Sequence, residues 1–357
     1  MQLGIIGLPQ SGKTTVFNAL TGGNQPTGAI TGKIEVHTAV VDVPDARVDT
    51  LSAMFNPKKT IYAKVTYADI AGLDGSAGQA GISGTLLNQL TQMSGFLLVV
   101  RCFEDENIPH QAGSINPQLD IDTMEGEFII NDLIMVERRQ ERLRDEFRKG
   151  GGRDKSVIQR EIDLFERLHA ALSEEKPIRD LGLTADEEKD LSGYGFLSQK
   201  PLLIILNVAE GQEAPKVVCD HAHTAIISLQ GKLEMDIAQL PEEDAAMFME
   251  EYGITEPTLN KMIQSSYELL GLMSFFTVGE DEVRAWTVEK GATAPVAAGV
   301  IHTDLQKGFI RAEVINNTEL IELGSMAEAK TKGKLRLEGK EYPVQDGDIL
   351  NIRFNVK

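Results

Sequence analysis

Residues 3–20 read LGIIGLPQSGKTTVFNAL, and this stretch decides the fold. Residues 3–6 are an apolar run of strand length, and the run beginning near Thr14 has helical character. The turn between them carries Gly7, Gly12, Lys13 and Thr14 in the spacing G-x-x-x-x-G-K-[ST], the phosphate-binding P-loop. Each residue type answers a physical need. Glycines let backbone N–H groups close on phosphate oxygens, and the helix that follows points its positive end at them. Lys13 reaches the β- and γ-phosphates, and the Thr14 hydroxyl is the expected Mg²⁺ ligand. Strand, loop and helix in that order are the context the motif requires.

Outward from this unit, short apolar runs alternate with helical stretches to about residue 230: IEVHTAVVDV, IYAKVTYADI, FLLVVRCF, LLIILNV and TAIISL. Interleaving of this kind predicts an α/β fold, a mostly parallel sheet covered on both faces. The strand IYAKVTYADI ends in Asp69-Ile70-Ala71-Gly72. A carboxylate there can hold Mg²⁺, and the Gly72 N–H can sense a γ-phosphate. Leu73 stands where Ras-like enzymes carry a glutamine that orients water, and it has no polar atom for that task. The glycine-rich stretch from 73 to 84 suits a switch loop.

After LLIIL comes Asn207-Val208-Ala209-Glu210, where a guanine-specific site carries N-K-x-D. The aspartate of that motif accepts hydrogen bonds from guanine N1–H and its amino group, and adenine offers it no matching N1 donor. Glu210 is one methylene longer, and Val208 replaces the lysine whose stem covers the base. Ser228 and Leu229, after TAIIS, lie where a backbone base contact is expected.

From about 120 to 199 the pattern is helical. Ile129, Leu133, Val136, Leu143 and Phe147 form one stripe; Ile158, Ile162, Phe165, Leu168 and Leu172 form another. KGGGRDK between them is a turn, so an antiparallel helical hairpin is expected. From 137 to 160 there are nine Lys/Arg against five Asp/Glu, a net of +4 in a chain whose net charge is −19. That overall charge argues against diffuse nucleic-acid binding, whereas the tip fits either a solvated face or an RNA contact. Residues 232–273 predict a helical connector. The runs FFTVGEDEVRAWTV, GVIHTDL, FIRAEVI, LRLEGKEYPV and DILNIRFNV predict a strand-rich terminal domain. The expected domains are 1–119 with 200–273 for the nucleotide, 120–199 for the hairpin, and 274–357 at the end.

Two cysteines, Cys102 and Cys219, make no C-x-x-C, so a reduced cytoplasmic setting is expected. His221 and His223 precede a strand without metal spacing. The longest apolar runs are too short for a bilayer, no targeting segment is visible, and no membrane partner is expected. The expected oligomeric state is a monomer.

These residues resemble the YchF/Obg-like ATPase family, a branch of the translation-factor-related P-loop GTPases. The signs are GLPxxGKTTxFNALTG, DIAGL, VVRCFED, NVAE in place of N-K-x-D, and EVRAWTVEKGATAPVAAGVIHTDLQKGFIRAEVI, and the likeness spans the whole chain. The resemblance implies a G-domain-like fold with an inserted hairpin and a C-terminal β-grasp (TGS) domain. It also implies a cytosolic ATPase that uses ATP and Mg²⁺ and associates with ribosomes. It gives Gly7, Pro9, Gln10, Ser11, Gly12, Lys13, Thr14 and Thr15 the P-loop role, Asp69 and Gly72 the switch role, and Asn207 and Glu210 the base role. Leu73 corresponds to the family's hydrophobic substitute for the catalytic glutamine.

Two departures stand out. Gln10-Ser11 replaces the Asn-Val that follows Gly-Leu-Pro in the family, and the asparagine at that point helps bind K⁺ in related GTPases. The aromatic first switch ending in threonine is missing; aligning Val43-Pro44-Asp45 puts Lys33 on the threonine, with Thr31 and Thr38 as alternatives. A regulatory ATPase is the leading reading. A GTP-binding switch, a small-molecule phosphotransferase and a binding module with vestigial hydrolysis are the others.

Overall fold

The structure is a computed structural model that describes residues 1–23, 25, 36–70, 82, 84–105, 113–150, 152–252, 254 and 256–355. Two compact units are distinguished: Met1–Ala39 with Thr66–Leu259, and Val40–Val65 with Asn260–Lys357. This division differs from the three ranges expected from sequence. The helical insert groups with the nucleotide unit, and residues 40–65 group with the C-terminal one.

The first sheet runs in the order β2-β4-β1-β5-β6-β7. Its strands are β1 (Gln2–Ile6), β2 (Val36–Asp42), β4 (Lys64–Ile70), β5 (Gly95–Arg101), β6 (Leu202–Asn207) and β7 (Thr224–Leu229). β1 pairs in parallel with β4 and β5, and β5–β6–β7 continue in parallel. β5 and β6 are buried along their whole length. Strands covered on both faces read as unbroken apolar runs, which is why FLLVV and LLIIL show no alternation. Helices α1 (Lys13–Thr21), α3 (Gly84–Gln92), α7 (Gly231–Ala238) and α8 (Glu242–Glu251) belong to this unit.

The insert opens on Asn116, whose side chain caps α4 (Pro117–Lys149), with Pro117 in the first turn where its missing N–H costs nothing. Gly150 in the left-handed region ends α4, and Asp154 caps α5 (Lys155–Ser173). Ile129, Val136, Leu143, Ile158, Phe165, Leu168 and Leu172 form a shared core with Ile178, Leu191 and Phe196. Phe147, assigned to that stripe from its spacing, is instead exposed, with the Lys155 ammonium 5.6 Å from its ring centre. A 3₁₀ turn (Ile178–Asp180) and α6 (Ala185–Leu191) close the insert.

The root of α4 is fixed by Asp132. Its buried carboxylate accepts the N–H groups of Leu197 (3.0 Å) and Ser198 (2.7 Å). Two residues on, Lys200 donates to the carbonyls of Leu90 (3.0 Å), Thr91 (2.6 Å) and Met93 around the end of α3. A helix C-terminus leaves such carbonyls without intrahelical partners, and a cation suits its dipole.

In the second unit the strands are β3 (Lys59–Ile61), β8 (Leu272–Val278), β9 (Glu282–Glu289), β10 (Phe309–Asn316), β11 (Arg336–Glu338) and β12 (Asp348–Phe354), in the order β11-β10-β12-β8-β9-β3. β8–β9, β10–β12 and β10–β11 are antiparallel, while β12–β8 and β3–β9 are parallel. The run IYAKVTYADI is therefore not one strand: residues 59–61 pair with β9, and β4 starts afresh at Lys64. GVIHTDL, expected as a strand, is helical. α10 (Ala294–Ile301) has Pro295 in its first turn, and its buried Ala294, Ala297 and Ala298 pack on the sheet; α11 (Thr303–Lys307) follows. Alanine favours helix, and proline is accepted at the start of one. α2 (Ala46–Phe55), α9 (Thr258–Leu269), α12 (Asn317–Leu323) and α13 (Met326–Thr331) complete the order.

Burial pushes the Asp132 carboxyl up to about 6, against the pull of the N–H groups that favour its charge. A carboxyl raised above its unfolded value of about 3.9 favours the folded state when protonated, so its contribution declines as pH rises from about 4 to about 6. Asp132→Asn removes that titration. In denaturant unfolding, the stability of the variant relative to wild type should improve by about 2–3 kcal/mol between about pH 4 and about pH 7. An unchanged difference would mean the carboxyl is unperturbed.

Candidate nucleotide site

The loop between β1 and α1 turns on backbone geometry that few residues accept. Gly7 has φ +148° and Gly12 φ +97°. A β-carbon on Gly7 would lie 2.3 Å from the Val99 carbonyl oxygen, and one on Gly12 would lie 2.2 Å from Asn207 Nδ2. Glycine is thus required at both points by conformation and by space. Gln10, exposed, also adopts a positive φ of +62°. Pro9 is half-buried beside it, and Ser11 is buried with its Oγ lacking a hydrogen-bond partner among the described residues.

Gly12 is the N-cap of α1, and no side chain caps that helix. The first-turn N–H groups of a helix are an anion site when no side chain takes them. Lys13 Nζ donates to the carbonyls of Gly7 (3.0 Å) and Leu8 (2.9 Å), which draws the ammonium back across the loop. Thr14 Oγ1 donates to Asp69 Oδ2 at 3.0 Å, joining α1 to the end of β4, and Thr15 is half-buried next to it. Burial raises the Asp69 carboxyl, while the Thr14 hydroxyl, Lys13 and His37 pull it back. A hydroxyl and a carboxylate that already meet form an all-oxygen pair, the donor type Mg²⁺ takes when it keeps several waters. The residues present therefore fit a Mg²⁺ nucleotide: a glycine-walled loop, an orphaned buried hydroxyl, a lysine and an oxygen pair.

At the base end, Asn207 is buried. Its Nδ2 donates to the Ser11 carbonyl at 3.0 Å, and its Oδ1 accepts the Gly231 N–H at 3.1 Å. Val208 is 6% exposed and packs in the sheet core with Cys102 and Leu206. Glu210 is exposed. Ser228 lies exposed on β7, and the buried Leu229 accepts the Val208 N–H through its carbonyl. Gln212, which no motif singles out, shapes this loop: its Oε1 accepts the Ala209 N–H and its Nε2 donates to the Cys102 carbonyl. Burial pushes the Cys102 thiol up to about 12, which leaves it unreactive.

Gly72, Leu73, Thr31 and Lys33 lie outside the described residues. Thr38, the remaining switch alternative, is exposed within β2.

With this geometry in view, comparisons with known proteins are decisive. A family described as 50S ribosome-binding GTPase matches residues 2–131, and the C-terminal YchF-GTPase family, described as a protein of unknown function, matches residues 272–355. The Ribosome-binding ATPase YchF of Bacillus subtilis is 40% identical over 365 residues, covering 99% of each chain. That of Pasteurella multocida is 40% identical over 362 residues, again covering 99% of each. The chain belongs to the YchF family. The YchF GTPase structure from Schizosaccharomyces pombe superposes with a TM-score of 0.85 at 30% identity, covering 99% of this chain and 97% of that one. As a YchF member the protein is a P-loop NTP hydrolase, built on the α/β P-loop fold that the sequence implied.

Lys13→Ala removes the main cation facing the phosphates, so nucleotide binding should weaken at least tenfold and hydrolysis should vanish. Gly12→Ala should damage binding comparably, because its β-carbon displaces the Asn207 amide. Calorimetric titration checks both, and near wild-type affinity in either variant would contradict the geometry.

Proposed function

We propose that this protein is a Mg²⁺-dependent ATPase acting as a cytoplasmic, monomeric, ribosome-associated switch that hydrolyses ATP slowly until a partner stimulates it. The observation that carries the base preference is the end of β6. Asn207 is committed to bracing the P-loop, Val208 is packed in the core, and the guanine-reading aspartate is replaced by Glu210. The relatives' name, Ribosome-binding ATPase, supports the nucleotide and the partner alike. Among the described residues no helix is long and apolar enough to cross a membrane.

In the proposed cycle, the phosphates of ATP take over from the Gly7 and Leu8 carbonyls as partners of Lys13. The N-terminal end of α1 and the loop N–H groups hold the phosphate oxygens. Thr14 and Asp69 are the residues that would hold Mg²⁺, which when bound neutralises charge developing on the β- and γ-phosphates. Gly72 would sense the γ-phosphate, and Leu73 offers nothing to orient water. Related GTPases that do have that glutamine turn over at only about 10⁻⁴ to 10⁻³ per second alone and gain roughly 10⁵ from a partner, about 7 kcal/mol of barrier. Single-turnover measurements with and without ribosomes test this: hydrolysis at several per second by the isolated protein, with no gain from ribosomes, would remove the switch.

A GTP-binding switch on the same scaffold is the second reading, favoured because the S. pombe relative is described as a GTPase. Competition binding separates the two. ATP should outcompete GTP in the wild type, and Glu210→Asp should move the ratio toward GTP. A good bidentate base contact is worth roughly 1–3 kcal/mol, by analogy with base readout in DNA. Val208→Lys is a poor addition, since it would bury a charge in the sheet core.

For the ribosome, the hairpin tip is the proposed contact. Arg153 is tied to Glu146 (2.7 Å) and Glu161 (3.0 Å) and so braces the hairpin, whereas Arg142, Arg144 and Arg148 are exposed on α4. Reversing those three to glutamate should weaken ribosome co-sedimentation and flatten its salt dependence by roughly 0.7–0.9 in slope per lost phosphate contact. Unchanged pelleting would shift the contact to the C-terminal residues 330–357, which carry seven Lys/Arg against four Asp/Glu.

A further inference from the structure

Between β6 and β7 the chain runs from 208 to 223 without helix or strand. Segments of that length inside a compact unit are uncommon unless something fastens them. Near its end, Cys219 and His221 stand two residues apart. Their Sγ and ring nitrogen, with a carboxylate oxygen of Glu125 from α4, all lie within 4.8 Å of one another. No motif announces this set, because Glu125 is far away in the chain and a single C-x-H pair is not a metal motif.

The spacing of the groups around His221 suits a shared ion. Its Nδ1 is 2.7 Å from Asp180 Oδ2, and the other Asp180 oxygen accepts the Ala222 N–H at 2.7 Å. Its other ring nitrogen, Nε2, lies 3.2 Å from Glu125 Oε2. In a tetrahedral zinc site, bond lengths of about 2.0–2.1 Å place nitrogen and oxygen ligands about 3.3 Å apart. Cys219 Sγ lies 3.9 Å from Glu125 Oε1, the oxygen that also meets Arg179, which keeps the sulfur on the same side of the carboxylate as His221 and within 4.8 Å of the other donor atoms. The contact from Nδ1 to Asp180 is the carboxylate–histidine arrangement that orients a metal-bound imidazole.

Arg179 is buried and also pairs with Glu125 through Oε1; its Nε donates to Thr224 Oγ1 at 3.1 Å. It leaves Oε2 for a metal and fixes the plane of the carboxylate. Its charge opposes a cation, but Glu125 and Asp180 outnumber it, and a thiolate with a divalent ion together bring the cluster to neutrality. Burial and the Glu125 charge push the Cys219 thiol up to about 11, so metal binding has to release its proton.

We propose that Glu125, Cys219 and His221 form a zinc site, with water in the fourth position and Asp180 as the orienting partner of His221. The ion fastens the 208–223 segment, which carries Glu210 and Gln212, to the root of α4. Thiolate with imidazole and carboxylate selects Zn²⁺ over Mg²⁺, which prefers an all-oxygen set. The site is independent of the nucleotide preference proposed above.

The test uses the full chain with excess Mg²⁺ and ATP, so that the P-loop centre is occupied. Co²⁺ alone is the optical probe, followed by displacement with Zn²⁺. The expected result is a thiolate-to-cobalt charge-transfer band that saturates at one ion per chain and is bleached by Zn²⁺. Cys219→Ser abolishes the band, His221→Ala weakens binding at least tenfold, and Asp180→Asn keeps the band with affinity about 10–100-fold lower. Metal-free circular dichroism and thermal unfolding of Cys219→Ser, unchanged from wild type, separate a lost ligand from a lost fold. Absence of the band in the wild type overturns the proposal and leaves His221 as a hydrogen-bond bridge between Asp180 and Glu125. A band that survives Cys219→Ser overturns it equally, by placing the thiolate at Cys102.

Discussion

The side-chain amide of Asn207 is the contact on which the nucleotide site depends. It donates to the P-loop at Ser11 and accepts from the first residue of α7, so one buried group ties the loop, the end of β6 and the start of α7 together. An amide does both from two separate atoms: a carboxylate has no proton to give, and an aliphatic side chain would leave a carbonyl and an N–H unpaired in the interior. The same contact explains Gly12, since the Asn207 amide occupies the space that any β-carbon there would need. It also limits what the base loop can be. With Asn207 and Val208 committed inward, the residues of this loop left open to solvent include Glu210, beside the Gln212-braced turn.

A second constraint runs through the short segment 196–200. Asp132 of α4 grips its backbone, and Lys200 grips the carbonyl end of α3, the helix that follows the switch stretch. Burial lowers Lys200 to about 8 while raising Asp132, so both groups sit in their sites at a desolvation cost offset by hydrogen bonds to backbone. Hairpin root and α3 are therefore held by the same few residues. A displacement at the end of α3 would have to move Lys200 or break its bonds, so in the proposed cycle any movement of α3 would reach the hairpin root through named contacts.

What the sequence made legible was whatever is encoded locally. The P-loop, the carboxylate near the end of β4, the apolar runs that become β5 and β6, and both hairpin helices depend on residues within a few positions of one another. Features set by distant partners were opaque. IYAKVTYADI looks like one strand, because nothing in it announces that residues 59–61 pair with β9. GVIHTDL, residues 299–305, looks like a strand, yet proline in the first turn and small buried alanines just before it start a helix that runs into it. Phe147 keeps the heptad-like spacing but sits at the tip, where the first turn of α5 offers it the Lys155 ammonium and not an apolar side chain. Gln212 and the Glu125–Cys219–His221 set have no motif at all; they meet only because the loop after β6 folds back onto α4.

The proposed ribosome contact has to reconcile a chain of net charge −19 with a partner made of phosphate. Distance along α4 supplies the answer. From Asp132, anchored to the 197–198 backbone, to Lys149 at the tip, the helix rises about 25 Å at about 1.5 Å per residue. That is roughly three Debye lengths at physiological salt. Charges on the anchored body are screened at the tip, so a phosphate backbone meeting Arg142, Arg144 and Arg148 responds mainly to the local surplus. Part of that surplus is spoken for, since Asp145 pairs with Arg148 and Lys149, and Glu146 and Glu161 hold Arg153. These exposed pairs are individually weak, and an RNA phosphate can displace Asp145 at small cost. Arg153 is different: its two carboxylates cross from α4 to α5, so releasing it would loosen the hairpin itself. The tip thus divides into residues that shape the hairpin and residues open to exchange partners, and only the second group can supply an RNA contact without disturbing the fold that presents it.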